Sequence, residues 1–326
     1  MNRNAIMHIN PGLRAALAML LAIALAACSK SGDSNNAFDT PEAAAAALVE
    51  VLKKDDVAAL KSLLGPGSDS IVSSGDDVAD KNGRAEFVAA YTAKHGFEDA
   101  GEGLKTLVIG EKDWPVPIPL RLQDGKWMFD GAAGAEEAAM RRIGRNELGA
   151  IAVSSGFVDA QMEYAAQGHD GDPPGIYALK LMSDPGMQNG LYWETAEGEE
   201  PSPAGPFVAS ATKQGYTAEA RKPYHGYYYR LLYNQGSNAK GGARDFFKDG
   251  LMTEGFALVA WPAEYGTSGI QTFVVNQEGK VFQKDLGKDT AIAVEGIYSF
   301  DPDSTWTLVE ETPEQASVDT TADMGS

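Results

Sequence analysis

The apolar positions of this chain change their spacing several times, and each change predicts an element. One unbroken apolar run, Ala15 to Ala24, stands near the N-terminus. After a polar stretch, "PEAAAAALVEVLKK" places Leu48, Val51 and Leu52 on one face at helical spacing. Thr40 suits the N-cap, Pro41 the first turn, and Glu42 the positive end of the dipole. "DVAALKSLL" predicts a second helix ended by Gly65-Pro66-Gly67. "GRAEFVAAYTAKHG" predicts a third, with Phe87, Ala90 and Tyr91 aligned. The period then drops to two. "LKTLVIGE", "VPIPLRLQ" and "KWMFDGA" read as strands, the last two joined by a turn at Asp124-Gly125. Pro117 and Pro119 mark an edge or bulged strand.

Helical spacing returns in "AEEAAMRRIGRNELGAIAVSSGFVDAQMEYAAQG", where Leu148, Ile151, Ser155, Val158 and Met162 recur. Gly144 is expected to interrupt it and to mark a domain boundary. Next come a turn ("GHDGDPPG"), a Pro/Gly-rich loop ("EGEEPSPAGPF") and four strands, "HGYYYRLLYNQ", "FALVAWPAEYG", "IQTFVVNQ" and "KVFQKDLG", with a hairpin at "NQEG". Helices before strands, twice over, predict an α+β fold of two domains. Their expected limits are 39–144 and 145–310. From Glu311 the sequence has little hydrophobicity, and a disordered tail is expected over 311–326.

The first apolar run is too short to span a bilayer, which needs about 20 apolar residues. With Arg3 and Arg14 before it and small residues after it, the run reads as a signal peptide, residues 1–27. Leu25-Ala26-Ala27-Cys28 resembles the lipobox of bacterial lipoproteins. That resemblance implies lipidation of Cys28, a polar tether over 28–38, and a periplasm-facing place in the cell envelope. Ser29, where an aspartate would favour inner-membrane retention, points towards the outer membrane. Cys28 is the one cysteine, so an internal disulfide is excluded. The net charge of −19 becomes −21 once the two signal-peptide arginines are removed. Such a chain repels nucleic-acid backbones and anionic lipid surfaces. Membrane attachment is therefore expected through lipid, with an envelope protein or glycan as partner and no nucleic acid.

The motifs "DWPVPIPL", "RRIGRNELGAI", "PYHGYYYRLL", "GFALVAWPAEYGTSGIQTFVVNQEGKVFQKDLG" and "FDPDSTW" resemble the bacterial family catalogued as domain of unknown function 2950. The resemblance spans roughly residues 38 to 307 and implies an exported protein, with no activity or site residues attached. By element order and its Thr-Pro-Glu start, the first half resembles the NTF2-like fold, a curved antiparallel sheet wrapped on helices around a pocket. The second half, a long helix and then an antiparallel sheet, is similar to the soluble part of type IV pilin-like proteins, without their membrane helix.

Candidate chemistry is sparse. In "PYHGYYYRLL", strand alternation puts Tyr224, Tyr228, Arg230 and Leu232 on one face and His225, Tyr227, Tyr229 and Leu231 on the other. With aromatics on both faces, this is expected to be a strand packed on both sides, with Tyr227 and Tyr229 in the core. The alternative is a groove where Tyr224, His225 and Tyr228 hold a sugar or an extended peptide. Arg141, Arg142 and Arg145 beside Glu147 either bind a carboxylate or phosphate, or form an inter-domain salt-bridge network. Asp113-Trp114 either borders a pocket or, for Trp114, packs in the core. The histidines show no metal-site spacing, and "HDGD" lacks the later ligands of a calcium loop. Nucleophile-elbow, P-loop and dinucleotide motifs are missing, so no catalytic residue, cofactor or metal is expected. The leading expectation is a binding or scaffolding component of the envelope. A carboxylate-based glycan hydrolase and a small-ligand carrier remain open beside it.

Overall fold

The computed structural model describes residues 36–310, except 197 and 218–221. The signal segment, Cys28 and the tail from 311 lie outside the described residues. Four helices start by one device: a Thr or Asp side chain accepting a backbone N–H three residues on. Thr40 opens α1 (Pro41–Lys53), Asp56 α2 (Val57–Leu64), Asp76 α4 (Asp77–Ala93) and Asp130 α5 (Gly131–Ala166), with bonds of 3.2, 2.9, 3.0 and 3.0 Å. The short α3 (Asp69–Val72) lies between α2 and α4.

An antiparallel sheet follows: β1 (His95–Gly101), β2 (Leu104–Ile109), β4 (Leu120–Gln123) and β5 (Lys126–Phe129) in that order, with β3 (Trp114–Pro115) also paired to β2. The β4–β5 hairpin turns at Asp124 and Gly125, with φ of 51° and 74°, the two positive angles of a type I′ turn. Between β3 and β4 the prolines interrupt regular pairing, yet Val116 and Ile118 are both buried. They join Ala44, Leu48, Leu52, Leu60, Leu107 and Leu120 in the first core. Phe38, expected at the end of the tether, instead bridges to Trp127.

The helix α5 does not break at Gly144. It runs 36 residues without interruption and serves both halves. At its start, a Cβ on Gly134 would come within 2.7 Å of Ile118 Cα, so glycine there permits close packing on the first half. Farther on, Phe157, Ala160 and Tyr164 enter a second core. After α6 (Gly205–Lys213), a second antiparallel sheet has β6 (Tyr227–Leu232) at one edge, followed by β7 (Ala257–Pro262), β8 (Gln271–Asn276), β9 (Phe282–Asp285) and β10 (Thr307–Leu308). The short helix α7 (Thr290–Ala293) lies between β9 and β10 in the chain. One sheet face packs on α5: the Phe157 ring stands edge-on to Phe256 at 5.5 Å, and Tyr227 is wholly buried beside Phe273. This is an α+β protein in two parts, each built on its own five-stranded sheet. Among the described residues no helix is long and apolar enough to cross a membrane.

Candidate functional site

Where the two parts meet, a carboxylate organises the contact. Asp76 is 2 % exposed. Its Oδ1 caps α4, while Oδ2 accepts the Tyr216 hydroxyl and the Gly226 N–H, both at 2.9 Å. The Tyr216 oxygen in turn accepts the His225 N–H at 3.3 Å. Behind Gly226 stands Asn146 of α5, which donates to the Ser268 carbonyl at 2.8 Å.

His225 and Gly226 do not continue the strand. They form a two-residue turn, with φ of 50° and 75°, closed by Tyr224 N to Tyr227 O at 2.8 Å and the reverse bond at 3.1 Å. Both angles are positive, as a type I′ hairpin turn requires, and histidine is among the non-glycine residues enriched in that region. Strand alternation therefore starts only at Tyr227. The expected common face of Tyr224, Tyr228, Arg230 and Leu232 is thereby corrected: Tyr224 belongs to the turn, and only the other three share a face. Tyr227 is core, and Tyr229 is partly buried against it.

The turn forms one wall of a groove of ≈ 370 Å³. Gly149, Ala152 and Val153 of α5, Pro206, Phe207 and Ser210 of α6, and Gln214 line it together with Tyr224 and His225. Gly149 lies beside the turn: a Cβ there would meet His225 Cβ at 3.6 Å, an ordinary van der Waals contact. The Tyr216, Tyr224 and His225 rings cluster, with centroids 4.3 to 5.7 Å apart. Burial lowers the His225 pKa from its ordinary 6.5, partly opposed by the Asp76 charge. Among the described residues the imidazole has no hydrogen-bond partner. It therefore offers a ligand either a donor or an acceptor from a largely apolar wall.

The arginines part company. Arg141 pairs with Glu137 at 2.7 Å and donates to the Pro115 carbonyl at 2.6 Å. Arg142 reaches across to the Ser70 carbonyl, and burial lowers its pKa despite the Asp80 carboxylate. Arg145 is exposed, one helical turn before Gly149, with no ion pair among the described residues. Glu147 joins none of them: its Oε1 accepts the N–H groups of Ile270 and Gln271, both at 2.9 Å. The expected salt-bridge network is thus replaced by separate contacts. Trp114 is 60 % exposed on its edge strand and is not a core residue. Tyr228 lies on the sheet face away from α5, outside the groove.

Phe207, Ser210 and Gln214 were not expected, because "EGEEPSPAGPF" reads as a loop while its last residues open α6. The available signal was Pro206 at a first helical turn ahead of "FVASATK".

Fold and groove together define a two-part α+β protein with a cleft along a shared helix. The family model described as "Protein of unknown function (DUF2950)" matches residues 35–309, and the chain belongs to that family. No curated protein and no solved structure gives a match.

Proposed function

We propose that the protein is a lipid-anchored binding component of the bacterial cell envelope, holding its ligand in the groove between α5 and α6. The observation that carries the reading is the groove itself. An aromatic turn, a phenyl ring, one hydroxyl and one amide line it, a few polar groups on apolar walls as binding sites have. Asp76, the buried carboxylate behind the turn, is already committed to three donors. Among the described residues no Asp or Glu lines the groove, which favours binding over a two-carboxylate hydrolase, whose acids must face the substrate. The lipobox-like Leu25 to Cys28 supports the anchor, with two or more acyl chains needed for durable attachment. Within this reading the first half is an NTF2-like unit and the second a pilin-like one, supported by the helix-before-sheet order of each.

Two variants test it. Cys28→Ser is expected to leave the membrane fraction or to stall in processing. If it matures and stays membrane-bound, the anchoring is wrong. Ala152 is exposed and lines the groove, so Ala152→Trp fills the groove without entering the core. It should abolish the crosslinks that the wild type forms in intact envelopes. Unchanged crosslinks would remove the groove from the proposal.

A further inference from the structure

The second sheet has a face that neither α5 nor the groove uses. Tyr228 on β6 stands opposite Trp261 on β7, and Thr272 on β8 opposite Lys284 on β9. One step beyond the paired Ala260 and Phe273, Trp261 meets Thr272. One step beyond Gln283 and Thr307, Lys284 meets Trp306. Directly opposed residues share a face. Tyr228, Trp261, Thr272 and Lys284 therefore form one transverse row across four strands, continued by Trp306 just before β10. Four spacings of about 4.8 Å make it roughly 19 Å long. The Tyr228 and Trp261 rings lie 5.8 Å apart. Arg230, in the next row, holds its guanidinium 5.7 Å from the Trp261 ring, and the Lys284 ammonium lies 5.8 Å from that of Trp306.

All of these except Thr272 are partly exposed. Thr272 is wholly buried, and its hydroxyl has no hydrogen-bond partner; nor has the buried Nε of Arg230. The two cations also stand out in a chain with 46 acidic residues. Arg230 is held by the Val294 and Ile297 carbonyls, at 2.7 and 2.8 Å, and by no carboxylate among the described residues. Lys284 donates to Thr305, through which Asp303 is engaged.

We infer that this row binds a saccharide bearing carboxylates, its ring faces stacked on Trp261, Tyr228 and Trp306 and its acid groups met by Arg230 and Lys284. Charge complementarity selects an anion. Partly exposed aromatic rings select a ligand with flat apolar surfaces. The row crosses the strands, so a ligand along it meets side chains and no sheet edge. An extended peptide would instead pair with an edge strand.

Calorimetric titration of the detergent-solubilised full chain with oligogalacturonate tests this, with the methyl ester of the same oligosaccharide as the uncharged control. The acid form should bind, and the ester should bind about tenfold more weakly or worse. Lys284→Gln and Tyr228→Ala should each weaken the acid form by a similar factor while keeping the thermal midpoint. Lys284→Gln carries the test should Tyr228→Ala fail to fold. Ala152→Trp should bind the saccharide as wild type does, which separates this face from the groove. Absence of binding, equal binding of acid and ester, or wild-type affinity in Lys284→Gln would each overturn the inference.

Discussion

At the scale of the residue, Asp76 bears the heaviest responsibility. Removing its side chain uncaps α4 and strands the Tyr216 hydroxyl and the Gly226 N–H inside the protein. Asp76→Ala should cost about 3 kcal/mol or more, as the loss of a buried charged hydrogen-bonding group does. A denaturant midpoint close to wild type would contradict the role assigned to it. His225 makes a prediction with a sign. Burial holds its folded pKa below the ordinary 6.5, so the unfolded chain takes up the proton first as the pH falls. In the window from 6.5 down to the folded value, the unfolded state binds more protons, and stability drops with pH. Denaturation at successive pH values should show that slope. His225→Gln should flatten it, even if the turn itself is weakened. A slope unchanged in the variant would assign the pH dependence to other groups. Neither residue was readable in these roles. Asp76 looks in the sequence like one more acid among 46, and His225 looks like part of a strand until the turn closes.

Among the elements, α5 decides how the two parts are related. A glycine inside a helical pattern is a fair boundary signal, because glycine costs up to about 1 kcal/mol against alanine there. Packing at both ends of α5 overrides that preference, and Gly144 sits in mid-helix facing open space. Gly144→Ala should therefore stabilise the protein by about 0.5–1 kcal/mol, read as a higher denaturant midpoint. A loss of stability would mean that the helix bends there after all. The other elements followed their local chemistry closely. Thr40 capped α1 as its position suggested, and Asp124-Gly125 made its hairpin. The exceptions were β1, which begins at His95 inside the stretch expected to be helical, and α6. Its proline and glycine flanks look like loop, and its register as a groove wall depends on α5 lying opposite.

For the molecule as a whole, two cores are tied through one helix and one buried carboxylate. Heating the full chain should therefore give a single transition, with calorimetric and van't Hoff enthalpies in agreement. Two resolved transitions would show that α5 and Asp76 do not couple the parts.

The sequence by itself determined the class of most of the longer elements, the α+β order, the acidic surface and the family. Periodicity, caps and turn residues act within a few positions of the chain. Placement was left to the tertiary structure. Asp76 meets Gly226 across 150 positions, and the row from Tyr228 to Trp306 is assembled by strand register. A side chain's partner across a sheet or a domain contact depends on where distant backbone comes to rest, which no local pattern encodes.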